Sequence, residues 1–342
     1  MRMKTITVND IARELGLSRN TVSKVLNGKE MPEKTKRLVL EKAKEMNYKQ
    51  LADEEHKRFR ILLLSGKPLT NYYFFIPVLR AIENACYERG DQLFQYICRE
   101  GEDASVYLKE NIGSMRFDGV ICIEFFNRTL IKSILSLKIP TVFLDAPVEM
   151  FSEGNFDIIL QDNYSPLEFE LNRLVQESGI KSIGFVGDPA HCLSFRERYE
   201  TVLITSGLND FPHRKNMDFL FPDGHAVYHN RYLMVREINT KPLCDAYVCA
   251  NDFIARQFIN ALAVAGYSVP EDVKVIGFDY TPDSHAVKPS ITSVAVEPES
   301  VAEAIILAIR NRILNPHLEK TLCVVHSKLV LKESTQQTPK KR

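Results

Sequence analysis

The chain has 342 residues, 45% apolar and 26% charged, with zero formal net charge. It is too long for one small core, and its composition is that of an ordinary globular protein with two or three domains. The zero total hides an asymmetry: residues 1–50 carry twelve Lys and Arg against six Asp and Glu, so the head holds six surplus positive charges and the remainder six negative. A basic head on an acidic body points to a polyanionic partner for the head. The seven cysteines are scattered, without a C-x-x-C pair, and several sit in apolar runs such as "GVICIE" (Cys122) and "AYVCAND" (Cys249). They read as buried free thiols of a reducing compartment. No segment has signal-peptide or bilayer-spanning character, so the expectation is a cytoplasmic protein with no membrane partner.

The first predicted helix opens at Thr7, with Asp10 three residues on in the spacing of a capping box. Val8, Ile11, Ala12 and Leu15 share one face, and Gly16 supplies the left-handed residue that ends the helix. Ser18 caps a second helix whose inward residues are Val22, Val25 and Leu26, and Asn27-Gly28 stops it. Pro32 and Glu33 open a third helix, with Thr35, Leu38, Val39, Ala43 and Met46 between Lys and Arg up to Tyr48. Two short helices across a tight turn, with a third packed on them, make a helix-turn-helix domain. Its second helix would present Arg19, Asn20 and Lys24 to the major groove. Arg suits guanine and Asn suits adenine. Thr21, Ser23 and Asn27 offer donors to phosphates, and the cap residues Thr7 and Ser18 complete the set expected at DNA.

This stretch, with Thr-Val-x-Asp-Ile-Ala, Gly-Leu-Ser, Thr-Val-Ser-Lys-Val-Leu-Asn-Gly and a final Asn-Tyr, closely resembles the headpiece of the lactose-repressor (LacI) family of bacterial transcription regulators. The resemblance implies that Arg19 and Asn20 set operator choice and that a homodimer reads near-palindromic double-stranded operator DNA.

From residue 60, apolar runs alternate with amphipathic helical stretches. Predicted strands are 61–64, 93–98, 119–123, 141–145, 157–162, 182–187, 218–221, 246–250 and 273–279; predicted helices are 75–89, 129–137, 165–178, 194–206, 252–265 and 298–312. Such alternation predicts parallel sheets covered on both faces, and the number of strands predicts two doubly wound lobes with a cleft between them. "RFDGVICIE", "IPTVFLD", "LQDN", "AYVCANDFIARQFINALAVAGYSVPEDVKVIGFD" and "PSITSV" continue the resemblance in family order. The expected organisation is therefore α/β: a headpiece over 1–48, a linker over 49–59, a periplasmic-binding-protein-like effector and dimerisation body over 60–332, and a disordered tail over 333–342.

Ligands bind such clefts at the carboxyl ends of strands. Asp145 and Asp279 end apolar runs there. The resemblance adds Gln161, Asn251 and Arg198, the second Arg of "SFRER", as residues that line the effector site. Phe74, Phe75 and Phe125 could supply an apolar floor. Asp252 reads as a helix cap, Arg196 as an ion-pair residue, and His191 and Cys192 as part of a solvated loop. Carboxylates, amides and one Arg suit a sugar-like effector, with a sugar phosphate or a purine as alternatives; no cofactor, metal or catalytic residue is expected. An α/β enzyme with a DNA-binding head would need Gly-x-x-x-x-Gly-Lys-Ser/Thr, Gly-x-Ser-x-Gly or His-Glu-x-x-His, and none is present. A cytosolic sugar-binding protein is the remaining alternative.

Two departures from the family pattern matter. After Tyr48 the family has Pro-Asn-x-x-Ala-Arg-x-Leu, which folds as a hinge helix on DNA; here "KQLADEEHKRFR" lacks the Pro, the Asn and the Arg. The expectation is a linker with Leu51 as its sole candidate wedge, and with Asp53, Glu54 and Glu55 repelled by phosphates. The Gly-Ala after Asp-Asn is replaced by Ser165-Pro166.

Overall fold

The computed structural model describes residues 6–26, 31–46, 48, 57–66, 74–98, 110, 116–146, 154–211 and 213–336. It divides into two compact units, residues 1–59 with 87–91 and residues 60–86 with 92–342. Most of the 49–59 linker, including Leu51, lies outside the described residues, as do Asn27 and the end of the chain from residue 337.

In the first unit, α1 is Val8–Leu15, α2 is Arg19–Leu26 and α3 is Glu33–Glu45. The capping box at Thr7 and Asp10 is present, and Gly16 sits at φ 62° as the left-handed C-cap. The Ser18 hydroxyl accepts from the Thr21 N–H at 3.0 Å and starts α2 after a three-residue turn. Ile11, Ala12, Val22, Val25, Val39, Ala43 and Tyr48 form the core. Leu38, expected inside, is 46% exposed. Val39 and Ala43, four residues apart, take the inner line of α3, and Leu38 is turned off it by one residue of helical rotation.

The second unit contains two sheets. Its elements in chain order are β1 (Arg60–Ser65), α4 (Phe75–Arg89), β2 (Gln92–Ile97), β3 (Gly119–Ile123), α5 (Arg128–Ser136), β4 (Thr141–Leu144) and β5 (Asp157–Gln161). Next come α6 (Ser165–Arg173), which runs on as a π turn over Leu174–Ser178, β6 (Ile183–Val186), α7 (Leu193–Leu208), α8 (Ala226–His229) and α9 (Arg231–Ile238). The chain ends with β7 (Ala246–Cys249), α10 (Asp252–Val264), β8 (Lys274–Asp279), β9 (Thr292–Val296), α11 (Pro298–Leu314), β10 (Leu322–Val325) and β11 (Ser327–Val330). The first sheet has the order β10-β5-β4-β3-β1-β2 and is parallel throughout; the second is β11-β9-β8-β7-β6, with only β11 antiparallel. Fully buried runs such as β3 and β5 are what a sheet covered on both faces requires. The chain therefore passes between lobes three times: at residues 162–164, between β9 and α11, and at His326 between β10 and β11.

Three expectations are corrected. The predicted strand at 218–221 makes only one bridge, Val186 to Phe219. Phe219 bonds the Phe185 carbonyl and the Gly187 N–H along β6, and beyond it the Tyr228 hydroxyl takes over at Phe221, bonding its N–H and its carbonyl. The last residues of the body do not fray at 333. Ser334 and Thr335 are fully buried: the Ser334 hydroxyl takes the Thr292 N–H at 2.8 Å and donates to Val275 O, and the Thr335 hydroxyl meets that of Thr292 at 2.8 Å. Polar residues thus close the second lobe, which an apolar pattern does not reveal. Finally, β9, β10 and β11 are strands of four or five residues that the sequence reading left unassigned.

Six of the seven cysteines are buried free thiols; Cys323 is exposed. No helix among the described residues is long and apolar enough to cross a membrane.

Arg312 of α11 lies in a bidentate clasp with Asp157 at the start of β5, and Asp157 also accepts the Thr321 N–H ahead of β10. Both side chains of the pair are at most 5% exposed. Arg312→Ala leaves a buried carboxylate unpaired and is expected to cost about 3–5 kcal/mol; denaturant unfolding measures it. Thr7→Ala removes the α1 cap and is expected to cost about 1 kcal/mol, read as a loss of headpiece stability by the same method.

Candidate functional site

The first unit presents one polar helix face. On α2, Val22 and Val25 are buried while Arg19, Asn20 and Lys24 are exposed, with Thr21 and Ser23 half-buried beside them. Thr7 and Ser18 are exposed and their oxygens cap α1 and α2. A helix N-terminus carrying Arg, Asn and Lys outward is suited to base edges and phosphates together.

In the second unit, the carboxyl ends of both sheets open on a cleft of about 710 Å³. The first lobe contributes Phe74 and Phe75 at the head of α4, Glu124 and Phe126 after β3, Asp145 after β4, and Gln161 at the end of β5. The second lobe contributes the start of α7, the β7–α10 junction and the end of β8. Three of these strands end on acids held at positive φ: Glu124 (52°), Asp145 (59°) and Asp279 (93°). Such backbone is uncommon for residues other than glycine, and it turns each strand end sharply at the cleft.

Arg198 of α7 is the centre of the cleft. It is 2% exposed. Its Nε donates to Asn163 Oδ1 at 2.9 Å, one Nη donates to the Ala250 carbonyl, and the other lies 3.5 Å from Asp279. The guanidinium stacks 3.4 Å from the centre of the Phe278 ring. Burial lowers the Arg198 pKa, and the charge of Asp279 opposes that effect. Asp279 is pushed up by burial and, on top of it, by Asp145, while Arg198 pulls it down.

Asn251 and Asp252 differ from expectation. Asn251, not Asp252, caps α10 by accepting the Ile254 N–H at 2.9 Å, and it still lines the cleft. Asp252 is fully buried and binds the Ser293 hydroxyl and the Thr281 N–H, both at 2.7 Å, so it staples the β8 and β9 ends to α10. Burial first, then the charge of Asp279, pushes its carboxyl far above the ordinary range. Gly277 permits this: a Cβ there would lie 2.2 Å from Asp252 Oδ1.

The structure brings Phe74, Phe75, Asp145, Gln161, Arg198, Asn251 and Asp279 to one cleft wall. Phe125 is not among them. It is 1% exposed and packs in the core of the first lobe, because the left-handed turn at Glu124 directs Phe125 inward and puts Phe126 at the cleft. His191 and Cys192 are cleft residues rather than a solvated loop: Cys192 is buried, and the His191 ring packs 4.5 Å from Phe126 and 5.4 Å from Phe195. Arg196 donates to the Pro189 carbonyl in place of the expected ion pair. Asn163 of "LQDN" lies behind Arg198, outside the cleft lining, and only the fold places it there.

Two family descriptions match the chain: bacterial regulatory proteins, lacI family, over residues 7–50, and the periplasmic binding protein-like domain over 173–335. The HTH-type transcriptional repressor PurR of Mannheimia succiniciproducens is 26% identical across 96% of this chain and 98% of its own length. The chain joins a lacI-family DNA-binding domain to a periplasmic-binding-protein-like domain. It is a DNA-binding transcription regulator with an effector-binding domain, and the family consists of regulators rather than enzymes. Among solved structures, the regulator CelR in complex with cellobiose superposes with a TM-score of 0.72 at 22% identity, covering 96% of this chain and 99% of that one. The Lac repressor dimer bound to operator and the anti-inducer ONPF gives 0.68 at 19%, covering 98% and 100%. A regulator of Enterococcus faecalis V583 with bound ribose gives 0.63 at 23%, covering 80% and 98%. These likenesses establish the fold.

A carboxyl with a raised folded-state pKa binds its proton more tightly folded than unfolded, so it favours the fold at low pH and costs stability as pH climbs. Asp145→Asn removes one charge that raises Asp279. The unliganded variant is expected to melt above the wild type at neutral pH, with the margin closing as the solution is acidified; melting curves across pH test this.

Proposed function

We propose that this regulator is a repressor that reads a near-palindromic operator as a homodimer and takes an uncharged polyhydroxyl effector, a sugar, in the interlobe cleft. The observation that carries the effector class is the charge inventory of the wall. Glu124, Asp145, Asp223, Asp279 and Asp283 face two guanidinium groups, Arg198 and Arg256, and both are already engaged, by Asp279 and Asp283. A phosphate ester entering such a site meets more carboxylates than guanidinium groups and is repelled. Vicinal hydroxyls, in contrast, donate to carboxylates and amides, and sugar C–H faces pack on rings such as Phe74, Phe75, Phe126 and Phe195. The sugars in the CelR and Enterococcus faecalis structures support the same class.

Thermal-shift screening of the full chain tests the class against its rivals. A neutral sugar held at a hundred times its Kd stabilises by about 2.7 kcal/mol, whereas the matching phosphate esters and purine bases leave the melting temperature unchanged. Stabilisation by a phosphate ester or a purine alone defeats the reading.

On the DNA side, Arg19, Asn20 and Lys24 enter the major groove, where Arg19 and Asn20 read bases, and Thr21, Ser23 and Asn27 contact phosphates. Arg19→Ala and Asn20→Ala are each expected to weaken operator binding by about 1–3 kcal/mol and to relax base preference at one position. Lys24→Ala weakens all sequences alike and flattens the salt dependence. Binding-site selection from random oligonucleotides, repeated with each variant, distinguishes these patterns. The linker lacks the Pro, Asn and Arg of the family hinge, so the operator is bent less than a wedge would bend it, and Leu51→Ala leaves the bend unchanged in a DNA-bending assay.

A further inference from the structure

The first passage between lobes, residues 162–164, and the last residue of β5 before it are bound to α7 by three side chains, those of Gln161, Asn163 and Tyr164. Gln161 Oε1 accepts from the Ser194 hydroxyl at 3.2 Å. Asn163 bonds Glu197 and Arg198, and the Tyr164 hydroxyl donates to Glu200 at 2.7 Å. Positions 194, 197, 198 and 200 fall on adjoining rows of a helix, so the crossing segment lies along α7.

Asn163 is the middle and most enclosed of the three, with no exposed surface. Its amide is used on both sides. Nδ2 donates to Glu197 Oε2 at 2.7 Å and to the Gln161 carbonyl at 3.0 Å, while Oδ1 accepts from Arg198 Nε at 2.9 Å. It does not line the cleft. The guanidinium it holds is planar and rigid, so a tilt of the Nη edge toward a ligand swings the Nε edge with it. Arg198 thus joins the cleft on one edge to the lobe crossing on the other, and Asn163 is the contact on that second edge.

We propose that Asn163 is the positioning residue that transmits occupation of the cleft at Arg198 to the passage between lobes. The inference rests on the reading of the cleft as the effector site. Gln161 and Tyr164 hold the same segment, but neither contacts Arg198; only Asn163 is placed to convert a change at the guanidinium into a change of backbone at the crossing.

The test is Asn163→Leu in the full chain, with Tyr164→Phe as a variant of the same segment that leaves Arg198 untouched. Cellobiose, D-ribose and the other neutral sugars of the screen are the probes, and the operator is the one selected with the wild type. Calorimetry reads sugar affinity, and a gel shift with and without sugar reads the response. Asn163→Leu is expected to keep sugar affinity and unliganded operator affinity within about threefold, while the factor by which sugar changes operator affinity shrinks about tenfold. Tyr164→Phe is expected to retain the response. A wild-type response in Asn163→Leu overturns the proposal, and so does a response that falls only in step with sugar affinity.

If no sugar binds the wild type, the effector reading fails separately. The link itself is then read by hydrogen exchange on the unliganded chain. Asn163→Leu must speed exchange over residues 161–165 and 193–201 together, with the headpiece unaffected; unchanged exchange in those two segments overturns the link.

Discussion

A single buried guanidinium organises the second unit. Arg198 has its hydrogen-bonding edges committed to the lobe crossing, to the carbonyl that ends β7 and to the carboxylate that ends β8, and its face lies on Phe278. Removing such a group from water is costly, and only a full set of partners offsets the cost. The geometry of the cleft follows from that requirement. Strand ends and the crossing must converge on α7 to supply acceptors, and the cavity remains on the side that they do not fill.

The same constraint explains the acidity of the site. More carboxylates face the cleft than guanidinium groups, and burial first, with the charge of a neighbouring carboxylate added to it, makes Asp279 and Asp252 hold their protons more tightly. A binding site is one of the few places where such repulsion persists, because a ligand that donates hydrogen bonds relieves it. The left-handed backbone at Glu124, Asp145 and Asp279 belongs to the same bargain: local strain that aims polar groups into the space a ligand takes.

The lobe crossings tie the two sheets of the second unit together. Around the first crossing, α7 also meets the first lobe directly. The Leu193 N–H donates to the Ala146 carbonyl at 3.0 Å, and the Ser194 N–H approaches Asp145 at 3.4 Å. One helix therefore touches the ligand site, the opposite lobe and the crossing.

Much of this was legible in the residues. The Thr7–Asp10 cap, Gly16 and the Ser18 cap are local chemistry, so sequence alone marked the headpiece helices and the outward side of α2. Long apolar runs marked the buried strands for the same reason, since a parallel sheet covered on both faces leaves no alternation to misread. Seven of the eight expected cleft residues sit on its wall because strand ends in this topology share one edge. What the tertiary structure alone decided was which neighbour faces where: Phe126 over Phe125, Asn251 as cap with Asp252 as staple, and Asn163 behind Arg198. Each of these turns on a backbone angle or a partner distant in the chain, and periodicity carries no information about either. The polar residues that seal the second lobe at Ser334 and Thr335 were invisible for a related reason: hydrogen bonds to Thr292, Val275 and their neighbours bury them, and that satisfaction exists only once the strands are in place.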